Sequence, residues 1–140
     1  MKLHVVARGR IGRGPEADLV ARYEKRMTWP FTVTELPETG GRIAECAQPG
    51  KIIALDECGS ALTSTGLAKL LEDWRDTGVR EARFLIGAAD GLTANERARA
   101  DLRLSFGSAT WPHLLVRAML AEQLYRATTI IAGHPYHREG

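Results

Sequence analysis

The clearest strand–helix–strand unit of the chain lies in residues 52–86, which read IIALDECGSALTSTGLAKLLEDWRDTGVREARFLI. Its first residues, Ile52–Leu55, form a continuous apolar run that is typical of a strand buried on both faces of a sheet. Thr63 or Ser64 provides an N-cap for a helix. The apolar residues of that helix recur at i, i+3, i+4 and i+7, at Leu67, Leu70, Leu71 and Trp74. Ala82–Ile86 is predicted as the next strand, so the unit indicates two parallel strands joined by a helix.

The same alternation of strands and helices extends in both directions along the chain. The other predicted strands are Lys2–Arg8, Phe31–Leu36 and Leu102–Phe106. The other predicted helices are Pro15 to about Met27, Ala94–Ala100 with Thr93 as N-cap, and about His113 to Ile131. Glu38–Gly50 is polar and Gly-rich, with little periodicity, and is predicted as a loop. The pattern predicts one α/β domain over residues 1–140, with a mostly parallel sheet and helices on both faces.

Composition narrows the class of protein. Hydrophobic residues make up 44% and charged residues 26% of the chain, and no run approaches the roughly 18 apolar residues of a membrane-spanning helix. The first apolar residues are interrupted by Arg8 too early for a signal peptide. We therefore expect a cytoplasmic protein with no membrane contact. Cys46 and Cys58 belong to no paired-ligand motif and are expected to be reduced.

The basic residues are mostly arginine, 15 of the 19, although the net charge is only +2. Guanidinium groups suit contacts with phosphates and stacking on bases. The codon usage of a GC-rich genome explains the bias equally well. Arg8, Arg10 and Arg13 surround the first Gly-rich turn, and they are the candidates for RNA binding.

Three predicted loops follow strands and consist mainly of small residues. They are the residues after Leu55, Gly87–Gly91 and Gly107–Thr110. Ligands of parallel sheets bind beyond the carboxyl ends of the strands, and small residues let a ligand approach the backbone. The glycines of the first turn are spaced G-x-x-G-x-G, unlike a dinucleotide-binding fingerprint. His134 and His137 have no acid or thiol nearby in sequence, so no metal site is predicted.

The C-terminal tail, His134–Arg138, carries two imidazoles, a phenol and a guanidinium within five residues. Chain ends tolerate change unless something anchors them. The preceding helix supplies an anchor. We therefore interpret the tail as part of a site and not as a solvated end.

The second half of the chain contains six short motifs: Phe84–Gly87, Gly91–Leu92, Thr110–His113, Leu115–Arg117, Glu122–Arg126 and Gly133–Arg138. With these motifs the chain resembles the ribosomal RNA large subunit methyltransferase H family, small knotted methyltransferases of the SPOUT superfamily. The resemblance spans essentially the whole chain and is dense over its last 60 residues. It implies a homodimer, a C-terminal trefoil knot, S-adenosylmethionine as methyl donor, and N3 of a pseudouridine in the 23S ribosomal RNA of the ribosome as target. DNA is not an implied partner.

The resemblance also implies the residues that bind the cofactor. They are Leu55, Gly87, Phe106, Gly107, Ser108, Ala109, Thr110 and Trp111. Apolar side chains such as Leu55 and Trp111 suit the faces of an adenine, and exposed backbone suits its edge. Plain core packing is the alternative for each residue taken singly.

The tail residues and one further histidine are the catalytic candidates. N3 of a pyrimidine is a poor nucleophile until its proton leaves, so an imidazole, His137 or His113, is the candidate base. Arg138 would stabilise the anionic ring or hold a phosphate, and Tyr136 would stack on the base or hydrogen-bond its carbonyl. By resemblance, the tail completes the cofactor pocket of a partner subunit. The alternative is that the tail only closes over the cofactor.

A ribosome-associated RNA-binding module with weakened cofactor binding is the second hypothesis. The family usually has Gly-Gly where this chain has Gly87-Ala88, and a longer segment in place of Glu38–Gly50. If position 88 required a positive φ, its alanine would cost about 1 kcal/mol. The intact Thr110–His113 motif and the intact tail favour the enzyme.

Overall fold

The computed structural model describes residues 1–138, so the last two residues of the predicted domain lie outside the described part of the chain. The strands are β1 (Lys2–Arg8), β2 (Phe31–Leu36), β3 (Gly50–Ala61), β4 (Glu81–Ile86) and β5 (Leu102–Ser105). The helices are α1 (Pro15–Arg26), α2 (Ser64–Asp76), α3 (Ala94–Ala98) and α4 (His113–Ala132). The predicted order of elements is confirmed. No described helix is long and apolar enough to cross a membrane.

The five strands form one sheet in the order β2-β1-β4-β3-β5, and every neighbouring pair is parallel. The predicted parallel α/β class is therefore confirmed. Because all strands run the same way, their carboxyl ends meet at one edge of the sheet. The trefoil knot stays a prediction from the family resemblance.

One face of the sheet carries the hydrophobic core. Alternate residues of the central strands point to this face, including Leu3, Val5, Ile53 and Phe84. They belong to the same buried cluster as Leu71 of α2 and Leu120 and Leu124 of α4. α1 packs on α4 through Val20, which contacts Ala118 and Ala121. Three helices thus lie on this side, and burial of their apolar stripes drives the packing.

The opposite face, which we call the polar face because it buries His4, Glu81 and Arg83, is contacted by segment 37–49. Glu81 is buried there and accepts hydrogen bonds from His4 Nδ1 at 3.1 Å, Arg83 Nε at 2.7 Å and the Ala47 N–H at 3.3 Å. Arg83 also donates to the Ala44 carbonyl at 2.7 Å. The loop predicted over Glu38–Gly50 is confirmed except at Gly50, the first residue of β3. The hydrogen bonds of Glu81 and Arg83 attach segment 37–49 to the sheet.

α3 lies at the edge of that polar face, where Arg8 donates to Glu96. Glu96 and Thr93 form a capping box, which confirms Thr93 as the N-cap. Thr63 caps α2 by accepting from the Gly66 N–H. Helices therefore flank both faces of the sheet, but three of the four lie on the core side.

β3 is longer than the predicted Ile52–Leu55. It pairs with β5 at Leu55 opposite Leu104, and again, after an irregularity, at Ser60 opposite Leu104. Gly59 makes this second pairing possible, because a Cβ there would lie 2.7 Å from the Arg103 carbonyl. The polar residues after Leu55 gave no strand signal, since they belong to a bulged extension. α3 and β5 also end slightly earlier than predicted, at Ala98 and Ser105.

Candidate active site

A cavity of about 650 Å³ lies at the carboxyl ends of β4 and β5 and beside residues 55–57 in the middle of β3. It brings together the three segments that were predicted as loops, although the residues after Leu55 belong to β3. Of the eight predicted cofactor-binding residues, seven line it: Leu55, Gly87, Phe106, Gly107, Ala109, Thr110 and Trp111. Ser108 is not among its lining residues, although it belongs to the same loop. Among the catalytic candidates, His113 lines the cavity.

Gly87 starts the tight turn that forms one wall of the cavity. The Gly91 N–H donates to the Ala88 carbonyl at 2.8 Å, and a Cβ at residue 87 would lie 2.3 Å from the carbonyl carbon of Gly91. Only glycine fits there. No described residue other than glycine has a positive φ, so Ala88 is not strained.

A second wall is formed by the loop after β5. Thr110 donates to the Glu57 carboxylate at 2.8 Å, which ties this loop to the β3 extension. The Trp111 indole N–H donates to the Phe106 carbonyl at 3.4 Å, and Trp111 is 44% exposed. The cavity is therefore lined by an accessible aromatic ring and by backbone that small residues leave open.

Loop 9–14, the arginine loop, lies beside His113. A Cβ on Gly9 would lie 3.7 Å from His113 Nε2. One helical turn further along α4, the buried Arg117 donates to the Gly9 carbonyl at 3.1 Å and pairs with Glu35. Glu35 also accepts from the Ile11 N–H at 2.8 Å. Burial alone would raise the pKa of the Glu35 carboxyl, but the hydrogen bonds from Ile11 and Arg117 hold it below its ordinary value.

The three candidate RNA-binding arginines differ in their surroundings. Arg10 and Arg13 are exposed on the arginine loop. Arg8 instead donates to the carbonyls of Pro37 and Gly40, at 3.0 and 2.7 Å, and to Glu96 at 3.3 Å. Its guanidinium is committed to holding segment 37–49 and α3.

The tail folds back on the middle of α4. The Tyr136 hydroxyl donates to Glu122 at 3.1 Å, and the Arg126 guanidinium lies 4.8 Å from the centre of the Tyr136 ring. Glu122 and Arg126 form an i,i+4 ion pair. Burial, a hydrogen bond with Tyr23 and the Glu122 charge raise the pKa of Tyr136, so its phenol stays protonated at neutral pH.

Arg126 also contacts the imidazole of His137. Its Nη1 lies 3.0 Å from His137 Nδ1. Guanidinium can only donate, so Nδ1 is the acceptor, and the neutral ring carries its proton on Nε2. The basic nitrogen of His137 therefore faces Arg126 in this arrangement. Arg138 is exposed.

The tail does not reach the cavity of its own chain. None of the described tail residues, 134–138, lines it. His137 contacts α4 at Arg126, 13 residues beyond His113, which is about 20 Å along a helix. The structure therefore does not bring His113 together with His137 and Tyr136 within one subunit.

A second, apolar cavity of about 550 Å³ lies between α1, α2 and α4; we call it the helix groove. Leu19, Leu62, Leu115 and Met119 contribute apolar walls, and Glu122 borders it. The sequence did not indicate this concave surface. It also missed Asp56, Glu57 and Arg97 in the first cavity, because an acidic or basic residue near a helix or strand end reads as ordinary surface.

Comparisons with known proteins identify the class. A family model described as "Predicted SPOUT methyltransferase" matches residues 1–137. The chain belongs to this family. Two solved structures share the fold: a probable methylase family protein from Haemophilus influenzae (TM-score 0.62, 10% identity, 98% of this chain and 70% of that chain) and a probable methyltransferase from Bordetella pertussis (TM-score 0.58, 13% identity, 90% and 95%).

Close relatives specify the branch of the family. The chain is 66% identical to a Ribosomal RNA large subunit methyltransferase H from Erythrobacter litoralis over 140 residues, which is 100% of both chains. It is 65% identical to the protein of the same name from Sphingopyxis alaskensis, over 100% of this chain and 99% of that protein.

Proposed function

We propose that this protein is a 23S ribosomal RNA methyltransferase that uses S-adenosylmethionine to methylate N3 of a pseudouridine. The observation that carries the proposal is the cavity beside β3 and beyond β4 and β5, where seven predicted cofactor-binding residues meet. The relatives' names supply the substrate class. Ribosomal RNA as substrate also favours a cytoplasmic location.

The residues of the cavity fit this cofactor. Leu55, Ile86 and Trp111 offer apolar faces to an adenine, and Gly87 and Gly107 leave backbone groups accessible for its edge. Asp56 and Glu57 bring negative charge, which suits an ammonium and a sulfonium. When bound, S-adenosylmethionine supplies an electrophilic methyl group. The described residues contain no cluster of metal-ligating side chains.

The protein's own chemical task is to orient the pyrimidine and to remove the proton from N3. His113 is the imidazole that lines the cavity, and it is our candidate for the base. In this arrangement Tyr136 donates its hydroxyl proton to Glu122, and His137 accepts from Arg126. Tyr136, His137 and Arg138 are our candidates for holding the carbonyls or phosphate of the substrate.

We infer that the working unit is a homodimer in which the tail of one copy completes the cavity of the other. Support comes from the distance between tail and cavity within one chain, and from the helix groove. The rings of Tyr23, Tyr125 and Tyr136 form a contiguous aromatic series that leads from this groove to the tail. A second copy seated in the groove would bring each tail close to the partner.

Truncation after Gly133 tests the role of the tail. We expect a folded dimer whose methyl transfer to ribosomes falls by orders of magnitude, because the groups that hold the pyrimidine are gone. Far-ultraviolet circular dichroism and light scattering check the fold and the dimer. A truncated protein that methylates at nearly the wild-type rate would remove the tail from the mechanism.

Titration of S-adenosylmethionine by calorimetry separates the enzyme from an RNA-binding module without a cofactor. We expect saturable binding that a chelator does not affect. The unstrained Ala88 favours this outcome. Absence of binding at millimolar cofactor would favour the module.

RNA binding is expected to depend on Arg10 and Arg13. Each phosphate contact contributes about −0.7 to −0.9 to the slope of log K against log salt. The double alanine variant should bind RNA more weakly and reduce the magnitude of the slope by about 1.5, as two lost contacts require. An unchanged slope would exclude these arginines.

A further inference from the structure

Arg97, on α3, is the only arginine or lysine among the described residues that line the first cavity. It is partly withdrawn from solvent. Its helix is held in place, because the neighbouring Glu96 bonds both the Thr93 N–H and Arg8. The backbone that carries Arg97 is thus fixed at the wall of the cavity.

Arg97 differs from every comparable arginine in the described chain. Five arginines are buried or partly buried, and four of them pair with a carboxylate. The pairs are Arg8 with Glu96, Arg83 with Glu81, Arg117 with Glu35, and Arg126 with Glu122. Within residues 1–138, Arg97 is the fifth, and no hydrogen bond or ion pair engages its guanidinium. Charges withdrawn from water are normally paired, so the partner of Arg97 is expected to come from a ligand.

The cavity carries charges of both signs, since Asp56, Glu57 and Asp90 line it together with Arg97. Such a lining suits a ligand with both an anionic and a cationic group. The amino-acid part of S-adenosylmethionine has one carboxylate, one ammonium and a sulfonium. A guanidinium binds a carboxylate through two parallel hydrogen bonds, so it is the natural partner for the first of these groups.

We propose that Arg97 binds the carboxylate of the cofactor's amino-acid part and so positions the sulfonium. This inference rests on the proposed function, since it specifies how that cofactor is held. Arg97 lies outside the three segments that were predicted to bind the cofactor, which are the residues after Leu55, residues 87–91 and residues 107–110. The contact with the carboxylate also predicts that the protein discriminates between cofactor analogues with and without a carboxylate.

The test compares two ligands by calorimetry: S-adenosylmethionine, and its decarboxylated form, which lacks only the carboxylate. Wild type should bind S-adenosylmethionine about 10- to 100-fold more tightly, the usual range for a hydrogen bond to a charged group. Arg97→Gln should lose most of this preference, because its affinity for S-adenosylmethionine falls while that for the decarboxylated form hardly changes. Arg97→Lys should recover part of the preference, since lysine restores the positive charge but cannot make the two parallel hydrogen bonds of a guanidinium.

Arg99→Gln is the matched control, because Arg99 is an exposed residue at the end of the same helix and does not line the cavity. It should keep the full preference. An equal loss of affinity for both ligands in Arg97→Gln would show a structural role and overturn the inference. Unchanged affinity for both, including the case in which only RNA binding weakens, would also overturn it. Failure of wild type to bind either ligand would instead contradict the proposed function itself.

Discussion

At the scale of single residues, the neighbouring positions 87 and 88 have different requirements. Only glycine fits at Gly87, whereas Ala88 has an ordinary φ. Gly87→Ala would place a Cβ 2.3 Å from the backbone of Gly91, so the turn would have to move. Such overpacking costs about 1–3 kcal/mol. We expect at least a tenfold loss of cofactor affinity in calorimetry. Ala88→Gly is the control, because Ala88 has an ordinary φ, and its affinity should match wild type. Equal effects in the two variants would contradict this account.

His4 makes the stability of the protein depend on pH. Burial lowers the pKa of His4 from its ordinary 6.5, while Glu81 opposes this effect and Arg83 and Lys2 add to it. Below pH 6.5 the unfolded chain therefore binds a proton that the folded chain does not, and the free energy of unfolding falls. Burial would raise the pKa of Glu81, but the Ala47 N–H, His4 and Arg83 hold it low, so its contribution is lost only below about pH 4.5.

Urea unfolding at pH 7.5 and pH 5.5 measures the His4 contribution separately, since Glu81 stays charged at both. Wild type should be less stable at pH 5.5, and His4→Gln should lose part of that difference. His134→Gln is the control, because His134 is exposed in the tail. The same pH dependence in wild type and His4→Gln would contradict the assignment.

At the scale of elements, one ion pair joins β2, α4 and the arginine loop. Arg117 is 2% exposed and Glu35 is 38% exposed by side chain. Glu35→Ala would leave a buried guanidinium with only the Gly9 carbonyl, at a cost of about 2–3 kcal/mol. RNA affinity should fall as well, since Ile11 loses its acceptor and the loop is released.

Urea unfolding and RNA titration check both effects. Adding Arg117→Met to Glu35→Ala should recover part of the lost stability, because the unpaired charge is removed. Glu38→Ala, at an exposed glutamate just beyond β2, should behave as wild type. If Glu35→Ala leaves stability and RNA affinity unchanged, the ion pair does not hold the loop.

Elements with a regular apolar period were predictable from the sequence, and features that depend on distant partners were not. Ile52–Leu55 and the apolar stripe of α2 could be recognised from their own residues alone. The extension of β3 could not be predicted, since it depends on Gly59 meeting the backbone of Arg103. The burial of Glu81 and Arg83 could not be predicted either, because their partners include backbone groups of segment 37–49.

The cavity was predictable because the carboxyl ends of parallel strands must meet at one edge. The charged lining of the cavity was not predictable. In the sequence Arg97 resembles the other helix arginines, and only the structure shows that its guanidinium has no partner within residues 1–138. The path of the tail also depends on contacts with Glu122 and Arg126 that no local pattern specifies.

At the scale of the whole molecule, the helix groove is the surface on which the proposed dimer depends. Leu62, at its border, is 37% exposed. Leu62→Glu should convert the dimer to a monomer in light scattering, because a carboxylate would lose its water in the interface. Methyl transfer should fall with it. Lys69→Glu, on the exposed side of α2, is the control and should remain dimeric. A Leu62→Glu protein that stays dimeric would show that the interface does not lie at the helix groove.

The central claim is methyl transfer to one pseudouridine of the large ribosomal subunit. Ribosomes lacking the modification should be incubated with the purified protein and S-adenosylmethionine carrying a deuterated methyl group, and the nucleosides of the 23S RNA analysed by mass spectrometry. The account predicts one labelled N3-methylpseudouridine per ribosome with wild type and a loss of that label with Gly87→Ala. No label in the 23S RNA, or label on a different nucleoside, would contradict it.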